Sequence, residues 1–316
     1  MSSFQHEYPF DPSYGYDLDA LLRVGSPEPP EDFEAFWRQT YEATRATPTN
    51  PSMRKIETRD GYDVFEIEYD GLGGFRVGGW LVIPADGVVT RGVVMGHGYG
   101  GRGVPELPRD LKQTAIIEPC GRGFHRSAMS GYPDNSSAHV VYGIESRDTY
   151  SHRFCVADLW SAATVLLEQF PQIGSRLGYY GGSFGGGMGA MMLPWDERYS
   201  RAVLNVPSFG NHPLRVTLQC TGSGEAVRQL YLKKPEVMQV LRYFDAATHA
   251  RFIRQPTLAG CALFDPAVPP PGQFAVYNAI PAPKRLFVLQ AGHFDFPGVA
   301  EQDGAFVREG FAWLME

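Results

Sequence analysis

Apolar positions along the chain follow two periods, and the switch between them predicts the elements. Residues 31–44 carry Phe33, Phe36, Trp37 and Tyr41 at helical spacing, which predicts an amphipathic helix whose rings pack into a core. Residues 64–69 alternate apolar with polar side chains and predict a strand. Residues 75–83 predict its hairpin partner, because Gly71-Leu72-Gly73-Gly74 can turn the chain between them. This pair is expected at the antiparallel edge of a mixed sheet. The short apolar runs at 92–95 and 114–118 instead lack alternation, as expected of parallel strands buried on both faces. A helical period runs through Val156, Leu159, Trp160, Ala163 and Leu167. Strands are expected at 176–180, 202–206, 256–263 and 285–290, with an apolar helix at 187–193 and a closing helix at 301–314. Strands that alternate with helices predict an α/β sandwich with a mainly parallel sheet.

Two stretches interrupt this alternation. Residues 120–149 read as a long loop rich in Gly, Pro, Ser and Asn, and such length points to a functional or assembly role. Residues 209–250 read as a helical insertion able to cover a site at the strand ends. The organisation expected is an N-terminal extension and helix over 1–50, then an α/β domain over 51–316 that carries the insertion. No internal repeat or low-complexity linker is evident.

Composition narrows the function classes. Hydrophobic residues make up 43% and charged residues 20% of 316, ordinary values for a folded globular chain. The formal charge of -7 argues against nucleic acid, which needs a basic footprint. Cys120, Cys155, Cys220 and Cys261 are scattered and form no CxxC pair, so reduced, mostly buried thiols are expected. The N-terminal residues show no basic region followed by an apolar run, and no span suits a membrane. A cytoplasmic location with no membrane partner is the expectation.

Chemistry concentrates in Gly178-Tyr179-Tyr180-Gly181-Gly182-Ser183-Phe184-Gly185-Gly186-Gly187-Met188-Gly189. Ser183 sits between a predicted strand and a predicted apolar helix, with Gly181 and Gly185 supplying the G-x-S-x-G spacing. A nucleophile elbow needs that setting, because the turn is sharp and its neighbours must be small. A serine hydroxyl also needs a base, and the hydrolase order is Ser, then Asp or Glu, then His. His212, His249 and His293 follow Ser183. His293 comes directly after the strand predicted at 285–290, where this architecture gathers its chemistry. His212 and His249 fall in the insertion, where a surface or capping role is expected. Asp265 ends the preceding predicted strand, 82 residues after Ser183 and 28 before His293, which suits separate strand ends. Asp295, two residues past His293, is a rival orienter, and Pro266 allows Asp265 a plain turn-capping role.

A second glycine motif competes. Gly96-His97-Gly98-Tyr99-Gly100-Gly101 fits G-x-G-x-x-G, and Glu118 stands where a ribose-binding acid is expected. Read alone, it makes a dinucleotide-binding oxidoreductase the alternative. Pro105 and Pro108 interrupt the helix such a site requires, and no second mononucleotide-binding half is evident. The same loop can instead aim backbone N–H groups at a developing oxyanion, beside the N–H of Phe184 after the nucleophile. His97 is isolated and no H-E-x-x-H occurs, so no metal is expected.

These motifs together resemble the carbohydrate esterases that include acetyl xylan esterase and cephalosporin C deacetylase (carbohydrate esterase family 7), over residues 31–314. Gly181–Gly187 looks like that family's serine motif GGSQGGG, Gly100-Gly101-Arg102-Gly103 its glycine-rich loop, Asp265 with Pro269-Pro270 its acid, and His293 its terminal histidine. The resemblance implies an α/β-hydrolase fold, a three-layer sandwich with a predominantly parallel central sheet. It implies deacetylation of small acetyl esters such as acetylated sugars, no cofactor, and a homo-oligomer, commonly a hexamer with sites facing an internal space. It places the second oxyanion donor at Gly98, with Tyr99 beside it. The chain departs from the pattern where Arg-Gly-Gln-Gly becomes Cys120-Gly121-Arg122-Gly123, where Phe184 replaces a glutamine and where Phe294 replaces a glutamate. Tyr99 and Arg122 are therefore expected to line or support the substrate pocket. Those altered surroundings also leave an inactive hydrolase-fold scaffold as a non-enzyme alternative.

Overall fold

A computed structural model describes residues 4–107 and 111–316; Pro108, one of the two helix-interrupting prolines, lies outside the described residues. Nine strands form one sheet in the order β1-β2-β3-β5-β4-β6-β7-β8-β9. They are β1 (Ser52–Arg59), β2 (Tyr62–Asp70), β3 (Arg76–Pro84), β4 (Arg91–Gly96), β5 (Thr114–Pro119), β6 (Leu177–Gly182), β7 (Tyr199–Asn205), β8 (Thr257–Ala262) and β9 (Lys284–Leu289). β1 to β3 are antiparallel, and β3 pairs antiparallel with β5. From β5 to β9 every pairing is parallel. All six strands of this parallel set therefore point their C-terminal ends the same way, and the loops leaving them gather along one edge.

The alternation of side chains across these strands builds two cores. In β4, Val94 joins the larger core while Val93 and Met95 face the other side; in β5, Ala115 and Ile117 oppose Ile116 in the same way. The larger core is roofed by the helices Phe33–Arg45, Ser151–Gln169, Phe184–Met192 and Ala246–Ala250. The second face is covered by the C-terminal helix Val299–Met315 through Phe306, Phe311, Trp313 and Leu314. The result is the helix–sheet–helix sandwich that the element order predicted.

Two of the longer elements escaped the sequence reading. β1 is exposed along nearly its whole length, so it shows no apolar alternation. It is instead an edge strand studded with charge, where Lys55 pairs with Asp63 at 2.7 Å and Arg54 pairs with Glu66. The helix Pro270–Ala279 starts on prolines and is buried over residues 270–276, so no amphipathic stripe marks it. The prolines sit in its first turn, where a missing N–H costs nothing.

The long stretch at 120–149 is a folded lobe. It carries a 3-10 turn (His125–Ser127) and a short helix (Ser136–His139), with Cys120, Phe124, Ser127, Val140 and Ile144 buried. The four cysteines are all buried and unpaired. Among the described residues, no helix is long and apolar enough to cross a membrane.

Candidate active site

β6 ends at Gly182, and the helix Phe184–Met192 begins two residues later, so Ser183 alone makes the turn. Its backbone lies at φ 54°, ψ -112°, a conformation rare for a residue with a side chain. The turn is held at both ends. Ser183 N donates to Asn205 O at 2.8 Å, and Ser208 N donates to Ser183 O at 3.1 Å. The glycines are required by contact. A Cβ at Gly181 would stand 2.6 Å from the Gly185 carbonyl carbon, and one at Gly185 would stand 2.9 Å from the carbonyl of His97. The helix thus presses against the loop leaving β4, an approach sealed by Gly185 N donating to His97 O at 2.9 Å.

Ser183 Oγ lies 3.0 Å from His293 Nε2, and His293 Nδ1 lies 2.8 Å from Asp265 Oδ2. The three residues come from the ends of β6, β8 and β9, as their chain order and spacing led one to expect. Asp265 is fully buried. Its Oδ1 accepts from the backbone N–H groups of Ala267 and Val268, both at 2.9 Å. Its Oδ2 accepts from Gln273 Nε2 at 2.9 Å as well as from the histidine. Burial of the His293 ring disfavours its charged form, but the adjoining Asp265 carboxylate outweighs this and raises the histidine above its ordinary pKa of 6.5. The side chain stays 30% exposed, so its Nε2 edge remains open to solvent and substrate. Asp295, the rival orienter, stands instead on the rim of the cleft.

Gln273 had no signal in the sequence. It lies on the helix Pro270–Ala279, which the apolar pattern did not reveal, and it is fully buried. Its Oε1 accepts from Ala262 N at 2.8 Å while its Nε2 donates to Val268 O at 2.6 Å and to Asp265. It locks the carboxylate in the plane that meets the imidazole.

The cleft over this trio measures about 420 Å³ and is lined by Gly98, Gly182, Ser183, Asn205, His293, Phe294 and Asp295, among others. Gly98 therefore borders the space next to Ser183. The Phe184 ring does not line that cleft. It packs inward against Tyr99 at 4.3 Å between ring centres, and against Phe209 at 6.0 Å. Tyr99 is held by two histidines, with its hydroxyl 3.0 Å from His139 Nδ1 and 3.1 Å from His152 Nε2. Arg122 also stands behind the site. It is buried, forms a two-pronged ion pair with Asp158 at 2.7 and 2.8 Å, and lies over the rings of Phe75 and Phe154. The insertion at 209–250 contributes none of the residues lining the cleft; it flanks the acid loop, where Thr221 N donates to Pro266 O at 2.7 Å.

One expectation is corrected, and the competing reading of the glycine loop loses its support. His212 and His249 are not surface or capping groups but fully enclosed side chains, because the insertion folds over the elbow helix and closes on them. Glu118 is not a ribose ligand. It is buried, pairs with Arg102 at 2.9 Å and accepts from Glu106 N at 3.1 Å, so it braces the glycine loop from beneath. The loop after β4 also leads into irregular chain rather than a helix over the described residues 97–107. Without a helix N-terminus to receive a pyrophosphate, the dinucleotide alternative has no site.

Known proteins show the same frame. A family model for acetyl xylan esterase (AXE1) matches residues 18–308. Acetyl esterase Axe7A of Xylanibacter ruminicola is 23% identical over 278 residues, covering 82% of this chain and 62% of that protein. The chain thus spans 62% of the length of that curated relative. Among solved structures, an acetyl xylan esterase from Paenibacillus sp. R4 superposes with a TM-score of 0.80 at 22% identity, over 93% of this chain and 100% of that one. Acetyl xylan esterase 1 from Thermoanaerobacterium sp. JW/SL YS485 superposes with a TM-score of 0.78 at 21% identity, over 95% and 99% of the two chains. The match from residue 18 to 308 takes in every strand and all three members of the trio, and it shows that this chain belongs to the acetyl xylan esterase family.

Proposed function

We propose that this chain is a serine carboxylesterase that removes acetyl groups from small esters, acetylated sugars among them. The observation that carries the reading is the unbroken line from Asp265 through His293 to Ser183 Oγ, with contacts of 2.8 and 3.0 Å. His293 takes the Ser183 proton as Oγ attacks the ester carbonyl carbon. A tetrahedral intermediate forms, its oxygen carrying the negative charge. His293 then gives the proton to the leaving alcohol, and the C–O bond breaks to leave acetyl-Ser183. Water, deprotonated by the same histidine, attacks the acyl carbon and releases acetate and free serine. Asp265 stays ionised throughout and stabilises the imidazolium that forms twice in each cycle.

The oxyanion donors in this reading are the backbone N–H groups of Phe184 and Gly98. Phe184 opens the elbow helix, so its N–H has no partner within the helix. Gly98 borders the same cleft. Backbone donors survive the side-chain changes that set this chain apart, and one such donor contributes about 3 kcal/mol of transition-state stabilisation. In a structure with a phosphonate on Ser183, both nitrogens are expected within hydrogen-bond reach of the phosphonyl oxygen. If only Tyr99 N reaches it, the second donor moves one residue along the loop.

The reading extends to assembly: a homo-oligomer with access limited to small soluble esters. The size of the 120–149 lobe and the family resemblance support it. Light scattering that shows a monodisperse monomer at assay concentration would exclude this. The decisive experiment for the activity joins a graded acyl-ester series with mass spectrometry after treatment with a serine-reactive phosphonate. Turnover greatest for acetyl esters and a single adduct on Ser183 are expected. Activity lost with Ser183 unlabelled would overturn the assignment, and nothing but long-chain turnover would overturn the acetyl preference.

A further inference from the structure

The loops that carry the acid and the base are tied to each other and to the N-terminal segment of the chain. Gly292 N donates to Phe264 O at 2.8 Å, and the rings of Phe264 and Phe294 meet at 4.9 Å. Phe264 directly precedes Asp265, and Phe294 directly follows His293. Phe4 is inserted at this junction, with its ring 5.0 Å from Phe264, 5.4 Å from Phe294 and 5.1 Å from Phe296. Together with Ala291 and Val299 these rings form a small apolar cluster separate from the main cores. Phe4 is its one described member from outside the chain after β8. Eight residues further on, Pro12 O accepts from Asp265 N at 3.1 Å, so the same segment touches the backbone of the catalytic acid itself. Tyr14 then anchors the segment by donating its hydroxyl to Gln219 O at 2.7 Å.

We propose that residues 4–14 form a strap that positions the catalytic acid and base, with Phe4 and the carbonyl of Pro12 as its points of grip. The inference rests on the esterase reading above. Both loops need such support. His293 sits at φ 47°, an uncommon backbone conformation for a non-glycine residue, and such strain persists only where the surroundings over-determine it. The β8 loop holds Asp265 by hydrogen bonds within its own turn, and that turn meets the β9 loop through the Gly292–Phe264 backbone bond and the shared cluster of rings. Phe4 touches no reacting atom. It is a positioning residue, acting on His293 through Phe294 and on Asp265 through Phe264. Loss of its ring leaves a void between the two loops, and the 2.8 Å contact from His293 to Asp265 loosens.

The test compares the full chain with Phe4→Ala, Phe4→Leu and a deletion of residues 1–10, using 4-nitrophenyl acetate well below the melting temperature. Phe4→Ala is expected to lower kcat about 10- to 100-fold with little change in KM, because small misplacements of catalytic groups cost rate more than binding. Phe4→Leu refills the void and is expected to restore most of kcat. The deletion is expected to reproduce Phe4→Ala. A second readout needs no turnover: the His293 titration, followed by NMR of histidine-labelled protein. Asp265 faces His293 from the β8 loop, Asp295 lies on its own loop and Asp303 on the C-terminal helix, while His6 stands on the strap 5.5 Å from Phe264. Phe4→Ala leaves all these groups in the chain, so a fall in the His293 pKa toward its ordinary value reports a looser hold by Asp265. Equal kcat and an equal His293 titration in the full chain and Phe4→Ala would overturn the strap, even if the melting temperature fell. If Phe4→Ala does not fold, Phe4→Val is judged by the same two readouts. A full chain with no ester turnover would overturn the esterase reading instead, while the titration would still decide the strap.

Discussion

His293 and the five histidines packed behind Ser183 are the same side chain with pKa values driven in opposite directions. His97, His139, His152, His212 and His249 are buried, and the hydrogen-bond partners of their rings are carbonyls, a backbone N–H, a tyrosine hydroxyl and an indole rather than a carboxylate. Trp195 Nε1 donates to His249 Nδ1 at 3.1 Å, Gly121 N donates to His97 Nε2 at 2.7 Å, and Tyr99 bridges His139 and His152. Burial drives these rings to neutrality: the pKa values of His97 and His139 fall to about 4, those of His212 and His249 to about 3, and His152 falls well below its usual range. His293 loses some solvent too, but Asp265 sits on its far nitrogen and raises it. Enclosure alone makes a histidine an inert packing group. A buried carboxylate on one nitrogen and a serine hydroxyl on the other suit it to the base's part in the proposed reaction.

The comparison breaks most sharply on Asp265. Asp265→Asn is expected to lower kcat about 10⁴-fold, since the amide supports the wrong tautomer and no longer stabilises the imidazolium. His249→Gln, assayed on the same ester, is expected to change kcat less than about threefold, its loss appearing in melting temperature instead. A comparable loss of kcat from both would show that the buried group also serves the chemistry. The wild-type kcat/KM should rise with pH through a midpoint above 6.5, because His293 must be neutral to accept the serine proton and Asp265 raises its pKa.

A buried ion pair set back from the cleft gives the next largest effect. Arg122 and Asp158 are buried against each other at 2.7 Å, away from the cleft. Arg122→Met strands the Asp158 carboxylate, and urea unfolding is expected to show a loss of about 3–5 kcal/mol. The kcat of the folded fraction should be kept; a large fall in kcat without a loss of stability would place Arg122 in the pocket after all.

Gln273 sharpens the comparison from the side of the acid. Gln273→Leu removes one donor from the Asp265 oxygen that faces His293 and leaves Ala262 N without its acceptor. A kcat about tenfold lower is expected, with KM nearly unchanged. Gln273→Glu would place a second carboxylate beside Asp265 and should do worse than Leu, which a simple loss of packing would not produce.

Acid stability leaves the rate constants aside and tests the buried set as a group. A histidine whose folded pKa is depressed binds fewer protons folded than unfolded once the pH drops below about 6.5. Stability is therefore flat above that pH and is lost as pH falls from 6.5 toward about 4, where His97 and His139 finally titrate in the fold. Melting temperature measured from pH 7.5 to 4.5 should decline steeply, and His139→Phe should shorten the decline. His293 contributes with the opposite sign, because its raised folded pKa favours the folded state at low pH. A curve flat to pH 4.5 would show that the buried rings are charged or hydrated.

What could be read in the sequence follows from how local each signal is. The elbow is written in seven consecutive residues, because the sharp turn at Ser183 brings backbone too close for a Cβ at Gly181 and Gly185, two residues to either side. The inner parallel strands β4, β5 and β8 were legible because both faces are buried, which forces continuous apolar runs. β1 was not legible, since an edge strand facing solvent has no apolar face to alternate. Asp265 and His293 could be proposed from chain order because a parallel sheet delivers successive strand ends to one side. The choice of Asp265 over Asp295, the enclosure of His212 and His249, and the hold of Gln273 on the acid belong to the tertiary structure. So does the meeting of Phe4 with rings some 260 residues and more away along the chain. Sequence determines which residues can turn, alternate or react where they stand. Which carboxylate meets which imidazole, and how much water reaches either, depends on contacts between distant segments that exist only once the sheet has assembled.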